Sequence, residues 1–390
     1  MEFRRKKLLE YGYGNPAFPT PAFYAPLNDL GSGAVNTALS IGTGSATFTR
    51  ATVAWAKLSS GLWAQVASGT ARSHYSGANT AVGSYLGYFS EAAGTQLVTP
   101  SAAIRDMSDA SWVKVNMTAA KTATGIDGAV NSATLLTSTG ANATILQTLA
   151  AAASTRTYSL FIENVDAGSI ELTQDGGATW STPFVTAAGT YYRQTITASV
   201  LNASFGIRIA GSGESIKVDF NQFEAGSVAT SPMDAAGAVR NEDLLTYPSS
   251  GNISNTVGVA YAEICPFQVK STGALKGIIC GATGVSAPLY LDSGTALLSL
   301  FDGTEREFGD PGLPLSASKK VATIWRGATC DGYIAGTVGT TRVFDGNMNM
   351  GVTLGIGNLA GGAGALTGTV KEAKIWVIPF NTVDMTRLTR

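Results

Sequence analysis

The chain has 390 residues, of which 14% are charged and 46 are glycine; 26 basic and 27 acidic side chains leave a net charge of -1. A soluble domain ordinarily carries about 25% charged residues and about 7% glycine. Without a basic excess, binding by phosphate neutralisation is excluded as a main activity, so no nucleic-acid partner is expected. The 45% hydrophobic content excludes a disordered chain, and no apolar run of about 18 residues exists to span a membrane as a helix.

The first thirty residues are unlike the rest. Arg4, Arg5, Lys6 and Lys7 form a basic start, and only Leu8 and Leu9 follow before Glu10. That is too short for the apolar stretch of an export signal, so assembly in the cytoplasm is expected. Pro16, Pro19, Pro21 and Pro26 are then interleaved with Tyr11, Tyr13, Phe18, Phe23 and Tyr24. Proline holds such a segment extended, so its aromatic rings need a surface, either this chain's own or a partner's. Residues 1–44 are read as an anchoring arm, with those four basic and five aromatic side chains as its contacts.

Residues 45–98 read as short strands, Ala46–Thr52, Gly61–Val66, Ala71–Tyr75 and Ser84–Phe89, too polar to hold a core and packed as a shoulder on the next domain. Residues 99–231 form that first full domain. Its strands are expected at Trp112–Met117, Ser132–Ser138, Thr155–Asn164, Ser169–Thr173, Tyr191–Ala198, Ser204–Ala210 and Ser215–Glu224. Alternation puts Tyr158, Leu160 and Ile162 on one face, and likewise Ile216, Val218 and Phe220. Asp127-Gly128 and Asp175-Gly176 are tight-turn pairs. This spacing predicts an antiparallel sandwich or jelly roll.

Residues 232–256, with Pro232, Pro248 and Gly251, read as a connector. Residues 257–390 read as a second sandwich, with strands such as Val257–Val269, Lys320–Trp325 and Thr369–Ile378 and hairpin turns at Asp302-Gly303, Asp331-Gly332 and Asp345-Gly346. The fold class expected is all-β: two consecutive antiparallel sandwiches behind an extended arm. No β-α-β alternation supports a nucleotide-binding enzyme core.

Chemistry-bearing patterns are sparse. The single histidine, His74, has no partner signature. Cys265, Cys280 and Cys330 are too few and too scattered for a zinc cluster and read as buried hydrophobes, with one disulfide left open. Glu305 and Glu307 share a strand face, as a glycosidase pair would, but flank a turn and read as solvated. Asp292, Asp302, Asp310 and Asp345 are isolated turn residues without a calcium-loop spacing. The glycines from Gly355 to Gly362 run into a strand and read as a loop, not a dinucleotide fingerprint. Trp180, just past a turn, is the tryptophan best placed to stack on a sugar ring. No catalytic residue, metal or cofactor is expected.

Three runs carry a resemblance: Ala46-Thr47-Phe48-Thr49-Arg50-Ala51-Thr52, Ala71-Arg72-Ser73-His74-Tyr75, and Leu86-Gly87-Tyr88-Phe89-Ser90-Glu91-Ala92-Ala93-Gly94-Thr95-Gln96-Leu97-Val98. Together they resemble a pattern of tailed-bacteriophage structural proteins, in which such strands precede a carbohydrate-binding-like jelly roll. Here Ser90-Glu91-Ala92-Ala93 replaces the commoner acidic-glycine start, and Gln96 stands where Asn is usual. The run Leu366–Trp376 resembles the last strand of concanavalin- or laminin-G-like sandwiches. The resemblance implies a virion fibre or spike component that attaches to host-surface polysaccharide. Its implied partners are other virion proteins and copies of itself, a trimer being favoured. A decoration or cement protein is the alternative, and a polysaccharide depolymerase a further one.

Overall fold

The computed structural model describes residues 18–77, 82–267, 276–281, 286–292, 295, 297–309, 316–362 and 364–390. Strands dominate them, all paired antiparallel within the sheets; the helical elements are a 3-10 turn, Ser101–Ile104, and a C-terminal α-helix, Thr382–Thr389. The chain is all-β, as its turn spacing predicts.

Residues 113–225 build one sandwich. A five-stranded sheet runs in the order Tyr192–Val200, Ser154–Asn164, Ser215–Ala225, Ala133–Ser138, Met117–Ala123. It faces a four-stranded sheet ordered Ile170–Thr173, Ser204–Ile209, Ala143–Thr148, Val113–Val115. Between them Phe205 stacks on Phe223 with ring centroids 4.2 Å apart, and Trp112 meets Phe205 edge-on at 5.8 Å. Each such ring, wholly removed from water, contributes roughly 1.5–3 kcal/mol. The alternation expected for Ile216, Val218 and Phe220 is broken by a bulge: Phe220 takes φ 46 and packs on Trp55 at 4.9 Å.

The second sandwich is assembled from both ends of the chain. Its nine-stranded sheet includes Lys319–Arg326, Val257–Pro266 and Gly368–Trp376, continued by Tyr85–Ser90 and Ser73–Tyr75, while Phe23–Ala25 pairs with Gly368–Trp376. The opposing seven-stranded sheet starts Thr47–Thr49, Leu244–Pro248, Thr353–Ile356, Lys276–Cys280. One apolar core joins Phe23, Leu27 and Tyr88 to Ile264, Trp325 and Ile375. The structure thus joins segments that the sequence separates. The shoulder lends strands to both sheets, and the connector holds a strand inside the seven-stranded sheet. The sandwich of residues 113–225 is an insertion between the two parts of the other, which we call the outer sandwich.

Two smaller elements complete the frame. The hairpin Ala54–Lys57/Trp63–Val66 puts Trp55 and Trp63 into the core of the inserted sandwich and so links the two bodies. The C-terminal helix is capped by Asn381, whose side chain accepts from the Asp384 N–H at 2.8 Å. Its Met385 and Leu388 pack on Val259, Tyr261 and Trp376, on the outside of the nine-stranded sheet. All three cysteines are buried and free.

Candidate functional site at the junction of the two sandwiches

The three runs that carry the resemblance converge at the base of the junction. Arg50, Arg72 and Glu91 meet Arg240 and Asp243, all five buried. Asp243 binds Arg50 at 2.7 Å and Arg72 at 2.6 Å, while Glu91 binds Arg72 at 2.7 Å and Arg240 at 3.3 Å. Burial raises the Glu91 carboxyl, but Arg240 and Arg72 outweigh it and hold the group below the usual carboxylate range. Burial likewise opposes the Arg72 charge, yet Asp243 and Glu91 hold its pKa above the ordinary arginine value. Gln96 is also structural: it accepts from the N–H groups of Val98 and Phe223 and donates to the carbonyls of Asn221 and Met233. Arg50, Arg72, Gln96, Arg240 and Asp243 thus form a buried scaffold.

Above this scaffold lies a cavity of about 320 Å³, the size range of small-molecule sites. Lys57 and Trp63 of the hairpin line it, with His74 and Phe89 from the outer sandwich and Phe161, Tyr191, Tyr192 and Arg193 from the inserted one. Phe267, Glu91, Gly77 and Ala229 also line it. A neighbouring cavity of about 260 Å³ shares Lys57, His74, Gly77 and Phe267 with it.

The walls are aromatic and the polar groups few. The His74 ring lies 4.8 Å from Phe89, 5.0 Å from Phe267 and 5.6 Å from Trp63. Burial pushes the imidazole down to about 3, helped by the charges of Lys57 and Arg72, so it is neutral at ordinary pH. Its Nδ1 is closed off from solvent and has no hydrogen-bond partner among the described residues. Lys57 is buried, donates to the Gly77 carbonyl, and has its ammonium pushed down to about 8 by burial. Arg193 keeps some surface, sits over Phe161 at 5.3 Å and donates to Ser159 Oγ at 2.9 Å; its Nε is shielded and has no hydrogen-bond partner among the described residues. Aromatic faces with a few fixed donors are the arrangement that grips the apolar C–H faces and hydroxyl rims of sugars.

Of the sequence-predicted site residues, Arg4, Arg5, Lys6, Lys7, Tyr11 and Tyr13 lie outside the described residues, as does Asp310. Phe23 is a correction: it is fully buried in this chain's own core, edge-on to Tyr247 at 5.1 Å, and reaches no partner. Tyr24 lies under the Lys374 ammonium at 4.6 Å, and Phe18 stacks on Phe380 at 5.7 Å. The surface that these three rings need is this chain's own outer sandwich.

Trp180 is partly exposed beside a smaller cavity of about 170 Å³, with Gln174 and Asp175. The Arg208 guanidinium, held by Glu171 at 2.6 Å, covers its ring at 4.5 Å, so one stacking face is already taken. Glu305 and Glu307 do share a face, and their oxygens lie within 4.8 Å of one of Asp292. Tyr290 donates to Glu305 at 2.7 Å and Thr295 to Glu307 at 2.8 Å, so protein donors hold the pair.

Sequence reasoning does not reach the junction cavity. Its residues come from eight separate segments, and no local spacing relates Lys57 to Arg193. The one local signal is His74, an imidazole alternating with the core-facing Ser73 and Tyr75, within a run already singled out by its resemblance.

The frame is therefore an all-β protein of two sandwiches with an aromatic cleft between them. No protein-family model matches the chain, and no curated protein matches it significantly. Among solved structures it is similar to domain 4 of AbnA, a GH43 extracellular arabinanase from Geobacillus stearothermophilus, in complex with arabinotriose. That match has 14% identity and a TM-score of 0.32 over 38% of this chain and 73% of that one. It is also similar to the N-terminal CBM22-1-CBM22-2 tandem domain of Paenibacillus barcinonensis Xyn10C, at 10% identity and a TM-score of 0.25 over 74% and 99% of the two chains. A third, truncated AlyQ with CBM32 and alginate lyase domains, gives 13% identity and a TM-score of 0.22 over 68% and 98%. Overlaps this loose carry no functional argument.

Proposed function

We propose that this chain is a fibre or spike component of a tailed-phage virion and that its junction cleft binds a host-surface glycan. The observation that carries the glycan reading is the cleft itself, with Trp63, Phe89, Phe161, Tyr191, Tyr192 and Phe267 around a few fixed donors. The three phage-like runs support the virion assignment, and low surface charge suits packing against symmetry mates in a closed homo-oligomer, for which a trimer is our proposal. Binding rather than turnover fits the groups present. Glu91 is committed to Arg72 and Arg240, and His74 is too weak a base to exchange protons near neutrality.

A glycan array tests this reading. The chain should bind at least one class of bacterial surface saccharide, and Ala229→Trp, which fills the cleft from its lining, should lose that signal. Silence across the array would favour the bracing role of a decoration protein. The anchoring arm needs its own test. A deletion must stop at residue 17, because Phe23, Ala25 and Leu27 are core. The shortened protein should fold and fail to join particles; incorporation at the normal level would sink the anchoring claim.

A further inference from the structure

Resting on the glycan reading, we infer that the junction cleft selects an anionic sugar, a hexuronate or a sulfated hexose, with Lys57 and Arg193 taking its charge. Taking a cation out of water is costly unless an anion and hydrogen bonds replace the hydration shell. The buried cluster beneath the cleft obeys this rule: Arg50, Arg72 and Arg240 share Asp243 and Glu91, and beside it Arg105 is gripped by Asp219 at 2.8 Å and Asp127 at 2.7 Å.

The two cations on the cleft wall lack such a partner among the described residues, as do the buried Arg156 and Lys276, but of these only Lys57 and Arg193 line the cleft. Among the described residues neither Lys57 nor Arg193 has a carboxylate within 4.0 Å. The ammonium has one carbonyl, from Gly77, for three donors; the guanidinium has one hydroxyl, from Ser159, for five. Nearby carboxylates are already spent. Glu91 is bound by Arg72 and Arg240 and accepts from the Ser231 N–H at 2.5 Å, and Glu224 accepts from Gln222 and Thr230. The scaffold beneath adds to the positive potential, since its three arginines face two carboxylates. Lys57 comes from the hairpin and Arg193 from a strand of the inserted sandwich, so an anion held by both would tie the hairpin to that sandwich. The aromatic walls around them accept the ring that carries the anion, which a free inorganic ion would leave unused.

Matched saccharide pairs test the inference by titration calorimetry on the full chain. The probes are trigalacturonate, triglucuronate and a sulfated galactose trisaccharide, each against its methyl-esterified or desulfated counterpart. At least one charged member should bind about tenfold or more tighter than its neutral partner, the scale of a charge-assisted hydrogen bond. Arg193→Gln and Lys57→Met should each erase most of that preference, and Arg208→Gln, beside Trp180, should leave it intact. Lys57→Met removes a buried charge, so its melting temperature should not fall, which separates lost recognition from lost folding. The carboxylate and sulfate arms decide which anion is preferred. Equal binding of charged and neutral partners, or a preference that survives both cleft variants, would overturn the inference while leaving the glycan reading intact. No binding by either class would overturn both.

Discussion

Asp243 sits at the centre of the buried ionic cluster. It is fully buried and receives Arg50 at 2.7 Å and Arg72 at 2.6 Å. Asp243→Asn keeps the shape but leaves two buried guanidinium groups short of charge, so it should cost about 3–5 kcal/mol. Denaturant unfolding of the two proteins measures this, and a loss under about 1 kcal/mol would mean that the cluster is hydrated in solution. Lys57 gives a pH signature of opposite character. Its folded pKa, about 8, lies below the ordinary 10.5. The folded chain therefore binds fewer protons there than the unfolded one, so the Lys57 contribution to stability rises as pH climbs through this window. An anion on the ammonium works the other way, favouring the protonated form, so affinity for a charged saccharide should fall as pH rises above about 8. Around Lys57, Arg72 and Glu91 keep their charges over that range and His74 stays neutral. Burial draws the Arg193 guanidinium down from the ordinary arginine value, against the opposing charges of Glu224 and Glu91. Titrations across that window should show the decline, and Lys57→Met should flatten it.

At the scale of elements, strand alternation and turn chemistry carry the inserted sandwich. Six of its strands lie within a few residues of where periodicity puts them, from Ala133–Ser138 to Ser215–Ala225. The misses have physical causes. Ala143–Thr148 places Gln147 at a buried position, where it bonds both Thr99 backbone groups and Ser111, so its pattern looks too polar for a core strand. Leu244–Pro248 looks like a connector because Arg240, Glu242 and Asp243 precede it, yet two of those three charges belong to the buried cluster. Strand Ser154–Asn164 is buried on both faces from Arg156 to Ile162, since Trp63 of the hairpin covers Phe161 at 5.7 Å. The glycine loop after Thr353–Ile356 is locked: Gly357, at φ 74, lies where a Cβ would stand 2.7 Å from that of Ser90. Gly357→Ala should therefore lower the unfolding free energy by at least about 1 kcal/mol, through strain and the clash with a neighbouring strand. Unchanged stability would contradict the close approach.

For the whole molecule, the consequence of insertion is that the outer sandwich cannot form from the C-terminal segment. Gly368–Trp376 is paired by Phe23–Ala25 and Tyr85–Ser90, and Thr353–Ile356 by Leu244–Pro248. A fragment of residues 257–390 should be aggregated or molten, whereas residues 18–390 should unfold cooperatively; a well-dispersed NMR spectrum from the fragment would refute the shared core. The order of the chain hides both this closure and the cleft, because each depends on contacts between segments far apart in sequence. The low charge and abundant glycine of the sequence fit short strands joined by tight turns, and they say nothing of where the remaining charges gather. The cleft between the sandwiches is the saccharide site we propose, and calorimetric titration tests it most directly. A saccharide that the full chain binds is titrated into wild type, Ala229→Trp and Trp180→Ala. Ala229→Trp should lose binding and Trp180→Ala should keep it. Full binding by Ala229→Trp, or its loss in Trp180→Ala, would place the site elsewhere and contradict the cleft assignment.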